Sequence, residues 1–124
     1  MSAKRVLLVD GDADSRTVYR ILLQHHGYDV VDTSSGEEGI RMALAGGLAA
    51  VVTELTLEHV DGHTLLTEIR ADAAMATLCV IVLTARVVPD ERARAMLAGC
   101  TRCLAKPIEP RDLVAVLREL IGDP

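Results

Sequence analysis

The 124 residues include no Trp, no Phe and only two Tyr. Aromatic rings therefore cannot dominate the interior, and the core has to be assembled from Val, Leu, Ile and Ala. Long hydrophobic runs are missing too: the longest are strand-sized, and Lys4 and Arg5 precede only four apolar residues before Asp10. Neither a transmembrane helix nor a secretory leader is expected, which makes the protein a cytoplasmic one. There is no Lys/Arg cluster and the formal charge is -5, so nucleic acid and anionic membrane surfaces are not expected as direct partners. Cysteine is scarce and odd in number. Cys79, Cys100 and Cys103 cannot close into a disulfide set, and reduced thiols are expected. No linker, repeat or low-complexity stretch divides the chain, whose length suits one domain over residues 1–124.

What is present is a regular alternation. Short apolar runs near residues 5–10, 28–32, 49–54, 79–84 and 102–105 are separated by segments of helical period. This predicts an α/β fold with a five-stranded parallel sheet and helices on both faces. The second run is the weak one, with Asp29 and Asp32 bracketing only Val30 and Val31. Helix one is expected to place Val18, Ile21, Leu22 and His25 on one face and to stop at Gly27. Ser35 and Glu38 have capping-box spacing at the start of helix two, whose inner face is read as Ile40, Ala43 and Leu44. Helix three carries Leu65, Leu66 and Ile69. Helix four starts after Pro89 and carries Ala93, Met96 and Leu97. Helix five has Pro110 in its first turn, then Leu113, Val116, Leu117, Leu120 and Ile121.

In such sheets chemistry collects at the carboxyl ends of the strands. Those ends offer Asp10, Gly11 and Asp12, then Glu54, Thr84 and Lys106-Pro107. Carboxylates, a hydroxyl and a lysine converging from separate strands are the components of carboxylate phosphorylation: acids hold Mg²⁺, one carboxylate attacks phosphorus, and cations neutralise the phosphoryl oxygens.

At this point the chain resembles the response-regulator receiver family, with its CheY-like, flavodoxin-like (βα)5 fold. The likeness runs through L-L-V-D-G-D at 7–12, G-Y-D-V-V at 27–31, S-G-E-E at 35–38, V-D-G at 60–62, I-V-L-T-A at 81–85, A-G-C at 98–100 and L-A-K-P-I at 104–108. It implies that Asp10 is the first residue of the acidic pair, that Thr84 and Lys106 contact the phosphoryl group, and that Pro107 follows a cis peptide. Three positions depart from the pattern. Gly11 stands where the second acid ligates Mg²⁺, Glu54 stands at the phospho-acceptor aspartate, and Cys103 replaces the switch aromatic. Asp10, Glu54 and Thr56 would form at best a weak Mg²⁺ site, with Asp12 as a partial substitute for the missing acid.

Glutamate at position 54 keeps the charge and lengthens the side chain, so a Glu54–Lys106 ion pair is the expected resting arrangement. The C-x-x-C of Cys100 and Cys103 enters a strand rather than opening a helix, which disfavours a redox role. His59 and His63, without further soft ligands, are read as solvent-facing rather than metal-binding. The absence of G-x-G-x-x-G or a P-loop after strand one weakens a nucleotide- or flavin-binding reading. The resemblance with its departures implies a non-enzymatic pseudo-receiver in two-component signalling, acting through protein contacts without normal Asp phosphorylation. The alternative is a Mg²⁺-dependent phospho-acceptor using Glu54 or a neighbouring Asp. Expected partners are a histidine kinase or other signalling protein, an output domain outside these residues, or a second copy bound through the helix-four, strand-five, helix-five face.

Overall fold

The short apolar runs become a sheet here. The computed structural model describes residues 3–85 and 88–124. The strands are β1 (Arg5–Val9), β2 (Asp29–Thr33), β3 (Ala50–Thr53), β4 (Cys79–Thr84) and β5 (Arg102–Ala105). They alternate with α1 (Ala13–His25), α2 (Gly36–Leu44), α3 (Gly62–Ala71), α4 (Pro89–Leu97) and α5 (Pro110–Ile121). The sheet is parallel throughout, in the order β2-β1-β3-β4-β5. The order reverses direction at β1, so the carboxyl ends of β1 and β3 lie side by side, with Val9 opposite Thr53.

Successive residues of each strand feed opposite layers. Val6 and Leu8 face one cluster with Val52, Ile81 and Leu83, covered by Tyr19 and Leu23 of α1 and by Leu113, Val114 and Leu117 of α5. Leu7 and Val9 face the other, with Val51, Val80 and Val82 under Ala43 of α2, Leu65, Leu66 and Ile69 of α3 and Ala95 of α4. The weak second strand forms one residue later than expected, at 29–33, because Asp29 pairs in register with Arg5 and the edge position leaves its acids able to reach water.

The helix faces differ from the sequence reading in several places. In α1 the buried residues are Tyr19 and Leu23, while Val18 and Ile21 are half exposed and His25 is exposed. In α2 the inner side is Gly36, Gly39 and Ala43, with Ile40 packed beside them and Leu44 turned outward. The expected capping box is half made: Ser35 Oγ accepts from the Glu38 amide, but the Ser35 amide donates to Thr33 Oγ1 instead of to Glu38. In α4 only Ala95 is buried; Ala93 and Met96 face out and Leu97 is 90% exposed.

Candidate functional site

Each candidate residue is held just past the end of a strand by one further ladder bond. The Asp10 amide donates to Thr33 O, the Glu54 amide to Val9 O and the Lys106 amide to Thr84 O, at 2.8–3.1 Å. Thr84 is the last residue of β4. Asp10, Glu54 and Thr84 are all buried. The Lys106–Pro107 peptide is cis. Together these strand ends open on a cleft of about 340 Å³ lined by Asp10, Gly11, Asp12, Ser15, Glu54, Thr56, Ala85 and Lys106.

The loop between β3 and α3 is locked to this cleft by a close approach. The Gly62 amide donates to Leu55 O, and a Cβ on Gly62 would lie 2.4 Å from Glu54 O, so no other residue fits there. This ties the V-D-G segment to position 54 and sets Glu54 at the end of β3.

Lys106 is the cation of the cleft. Its Nζ lies 2.5 Å from Asp10 Oδ2 and 3.4 Å from Glu54 Oε2. Burial alone would depress the Lys106 pKa, but the hydrogen bond and charge of Asp10, with Glu54, outweigh it and raise it. The expected Glu54 contact is therefore present but secondary, and Asp10 holds the shorter one. The reason lies in how Glu54 is otherwise satisfied: Oε1 accepts from the Leu55 amide at 2.8 Å and Oε2 from the Ala85 amide at 3.2 Å. Asp10 in turn accepts from Ser15 Oγ at 3.1 Å and from the Asp12 amide at 2.9 Å.

Few side-chain oxygens of the cleft are free. Mg²⁺ demands near-octahedral oxygen coordination. Gly11 supplies no side-chain oxygen, Lys106 sits on Asp10, and the exposed Asp12 is turned to cap α1, its Oδ1 accepting from the Asp14 amide. Thr56 lines the cleft but is exposed. Among the described residues no group of three or more His, Cys, Asp or Glu is arranged to hold a metal ion.

Of the remaining candidates, Cys103 lies half-buried in β5 against the α2–α4 layer. Burial raises the pKa of all three cysteines, that of Cys100 to about 11 with Cys103 adding to the effect, so these thiols stay protonated near neutrality. His59 is exposed, but His63 is buried in the first turn of α3 rather than facing solvent. Helical spacing from Leu66 puts it on the inward side, a signal outweighed in the sequence by its polarity. Sequence reasoning also missed Ser15 and the amides of Leu55 and Ala85. Ser15 could have been found, since it lies one turn into a helix that starts beside Asp10. A backbone N–H has no signature in the residue type.

Comparison with known proteins places this geometry. The sequence profile of the response regulator receiver domain matches residues 6–118. The response regulator Rre1 of Synechocystis is 32% identical over 118 residues, which is 94% of this chain and 51% of that protein. The chain spans about half the length of the curated relatives it matches. Among solved structures, the receiver domain of the sensor histidine kinase PA1611 of Pseudomonas aeruginosa, which has a magnesium ion coordinated in its active-site cleft, superposes with a TM-score of 0.91 at 29% identity, covering 98% of this chain and all of that one. The chemotaxis protein CheY4 of Vibrio cholerae shares the fold, with a TM-score of 0.89 at 22% identity over 96% of this chain and 99% of its own. The chain belongs to the response regulator receiver domain family.

Proposed function

We propose that this receiver works as a pseudo-receiver, transmitting or scaffolding through protein contacts, with Glu54 supplying a fixed charge in the phospho-acceptor place. One observation carries the reading: both oxygens of the Glu54 carboxylate are already engaged inside the cleft, by the Leu55 amide, the Ala85 amide and Lys106. A nucleophile so held is not free to align in line with a phosphorus centre. Neither neighbouring acid takes its place, because Asp10 is bonded to Lys106 and Asp12 caps α1. The missing acid at Gly11 makes Mg²⁺ binding weak, so the phosphoryl charge lacks its usual counterion. On this reading the domain is not an enzyme, and its partner is a histidine kinase or an output domain. That partner meets a surface set by sequence rather than by a phosphoryl group.

The test is incubation with acetyl phosphate and Mg²⁺ followed by intact-mass measurement. The protein is expected to take up no phosphoryl group, while Gly11→Asp combined with Glu54→Asp is expected to acquire one. Phosphoryl uptake by the unaltered chain, lost in Glu54→Gln, would show an ordinary acceptor with an unusual nucleophile.

A further inference from the structure

His63 is 7% exposed, and among the described residues neither ring nitrogen has a hydrogen-bond partner. A buried imidazole with both nitrogens unsatisfied is rare and costly, since a neutral ring needs one donor and one acceptor contact. A charged group lies close to it across a helix boundary: His63 Nε2 on α3 is 3.7 Å from Glu91 Oε2 in the first turn of α4. That is too long for a hydrogen bond and short enough for an ion pair once the ring is protonated. We propose that His63 and Glu91 form a proton-operated latch between α3 and α4. Protonation of the ring pulls the start of α4 toward α3, and deprotonation releases it.

The two sides of the latch are unequally anchored. On α3, His63 stands on a helix fastened by Leu65, Leu66 and Ile69, all fully buried, so it does not move easily. On the other side α4 buries a single residue, Ala95, and its N-cap Val88 makes no side-chain capping bond. A change of one charge therefore shifts α4 rather than α3. The other charges facing this spot are Asp61, the N-cap of α3, and Arg94, one turn along α4. Burial works against the Asp61 charge, but the amide and hydroxyl of Thr64, with His63 and Arg94 nearby, hold its carboxyl below the usual range. Asp61 is thus charged throughout the window in which an imidazole titrates, pH 5 to 8. It does not switch, and Glu91 is the partner that His63 gains. This latch is independent of whether Glu54 takes phosphate.

The experiment is a pH titration of the whole chain by NMR between pH 5 and 8.5, following the His63 ring protons and the amides of residues 89–95. The expected result is a His63 titration whose midpoint recurs in the α4 amides. In the surface variant Glu91→Gln, which leaves the core untouched, that midpoint falls by about half a pH unit or more. In His63→Gln the titration of the α4 amides disappears. A ring that stays in one protonation state across the range, α4 amides that do not follow it, or an unchanged midpoint in Glu91→Gln would each overturn the proposal. The Glu91 variant decides the matter even if the His63 variant does not fold.

Discussion

At the scale of single residues, the cleft is a charge balance of two buried carboxylates against one lysine. Removing the lysine takes from Asp10 and Glu54 the cation they share, and stranding buried charge is far costlier than losing an exposed pair. Lys106→Ala is expected to cost about 3 kcal/mol at neutral pH, read by denaturant unfolding. The alkaline limb gives an independent check. The folded-state pKa of Lys106 stands above its unfolded value, so its contribution is whole below about 10.4 and fades as pH rises through the folded-state value. The unaltered protein should lose stability in that window by more than Lys106→Ala does; equal losses would mean the ion pair carries no stability. Gly11 sets up the opposite experiment. Its backbone is not in the left-handed region and nothing lies within 4 Å of a built Cβ. Gly11→Asp should therefore change stability by no more than about 0.5 kcal/mol while tightening Mg²⁺ binding from about millimolar or weaker, measured by calorimetry. Unchanged Mg²⁺ affinity would show that position 11 does not face the metal's place. The strand-end residues were legible in the sequence because a parallel sheet brings all its carboxyl ends to one edge. Which carboxylate Lys106 prefers was not, because that choice turns on the amides of Leu55 and Ala85, which no side chain announces.

At the scale of elements, the strands and helix positions were legible and some helix faces were not. β4 and β5 form over the residues expected from their apolar runs; α3 buries Leu65, Leu66 and Ile69 as expected, with His63 added, and α5 buries Leu113 and Leu117, with Val114 added and Val116, Leu120 and Ile121 half-buried. Two of the misread helices, α1 and α4, share a cause: each carries apolar residues on two sides, so periodicity alone does not say which side meets the sheet. In α1 the choice goes to Tyr19 and Leu23, which fill the layer shared with α5. In α4 small Ala95 is the residue that fits against β4 and β5, leaving Met96 and Leu97 outside. A helix anchored by one alanine should open more readily than one anchored by three large aliphatics. Native-state hydrogen exchange is expected to show α4 amides exchanging well before those of α3; equal protection would mean α4 is held by contacts other than core burial. Leu97→Lys, at a position 90% exposed, should leave stability within about 0.5 kcal/mol, measured by denaturant unfolding. With Cys103 in place of the switch aromatic, a signal is expected to travel by the loop from Ala85 to Pro89 or by rearrangement of α4; residues 86 and 87 of that loop lie outside the described residues.

At the scale of the molecule, one sheet separates two apolar layers, and every interior strand serves both. β1 sends Val6 and Leu8 into the α1–α5 layer and Leu7 and Val9 into the α2–α4 layer, and β3 and β4 divide in the same way. Neither layer can come apart without exposing the back of the strands that form the other, so the two should unfold as one cooperative unit. The two tyrosines make this testable, because Tyr19 and Tyr28 both belong to the α1–α5 layer and no Trp obscures their fluorescence. Leu66→Ala removes a fully buried side chain from the opposite layer. It is expected to cost about 2–5 kcal/mol, enough to lower the thermal midpoint by roughly 10 °C for a domain of this size. The decisive point is which probe records that loss. Tyrosine fluorescence, which sees only the unmutated layer, should fall to the same new midpoint as far-UV circular dichroism, which sees all the helices. Leu117→Ala, made in the tyrosine layer itself, should behave alike by both probes. Should the tyrosine transition of Leu66→Ala stay at the midpoint of the unaltered protein while the helical signal drops earlier, the α2–α4 side would be a separable unit, able to loosen while the α1–α5 side stays packed.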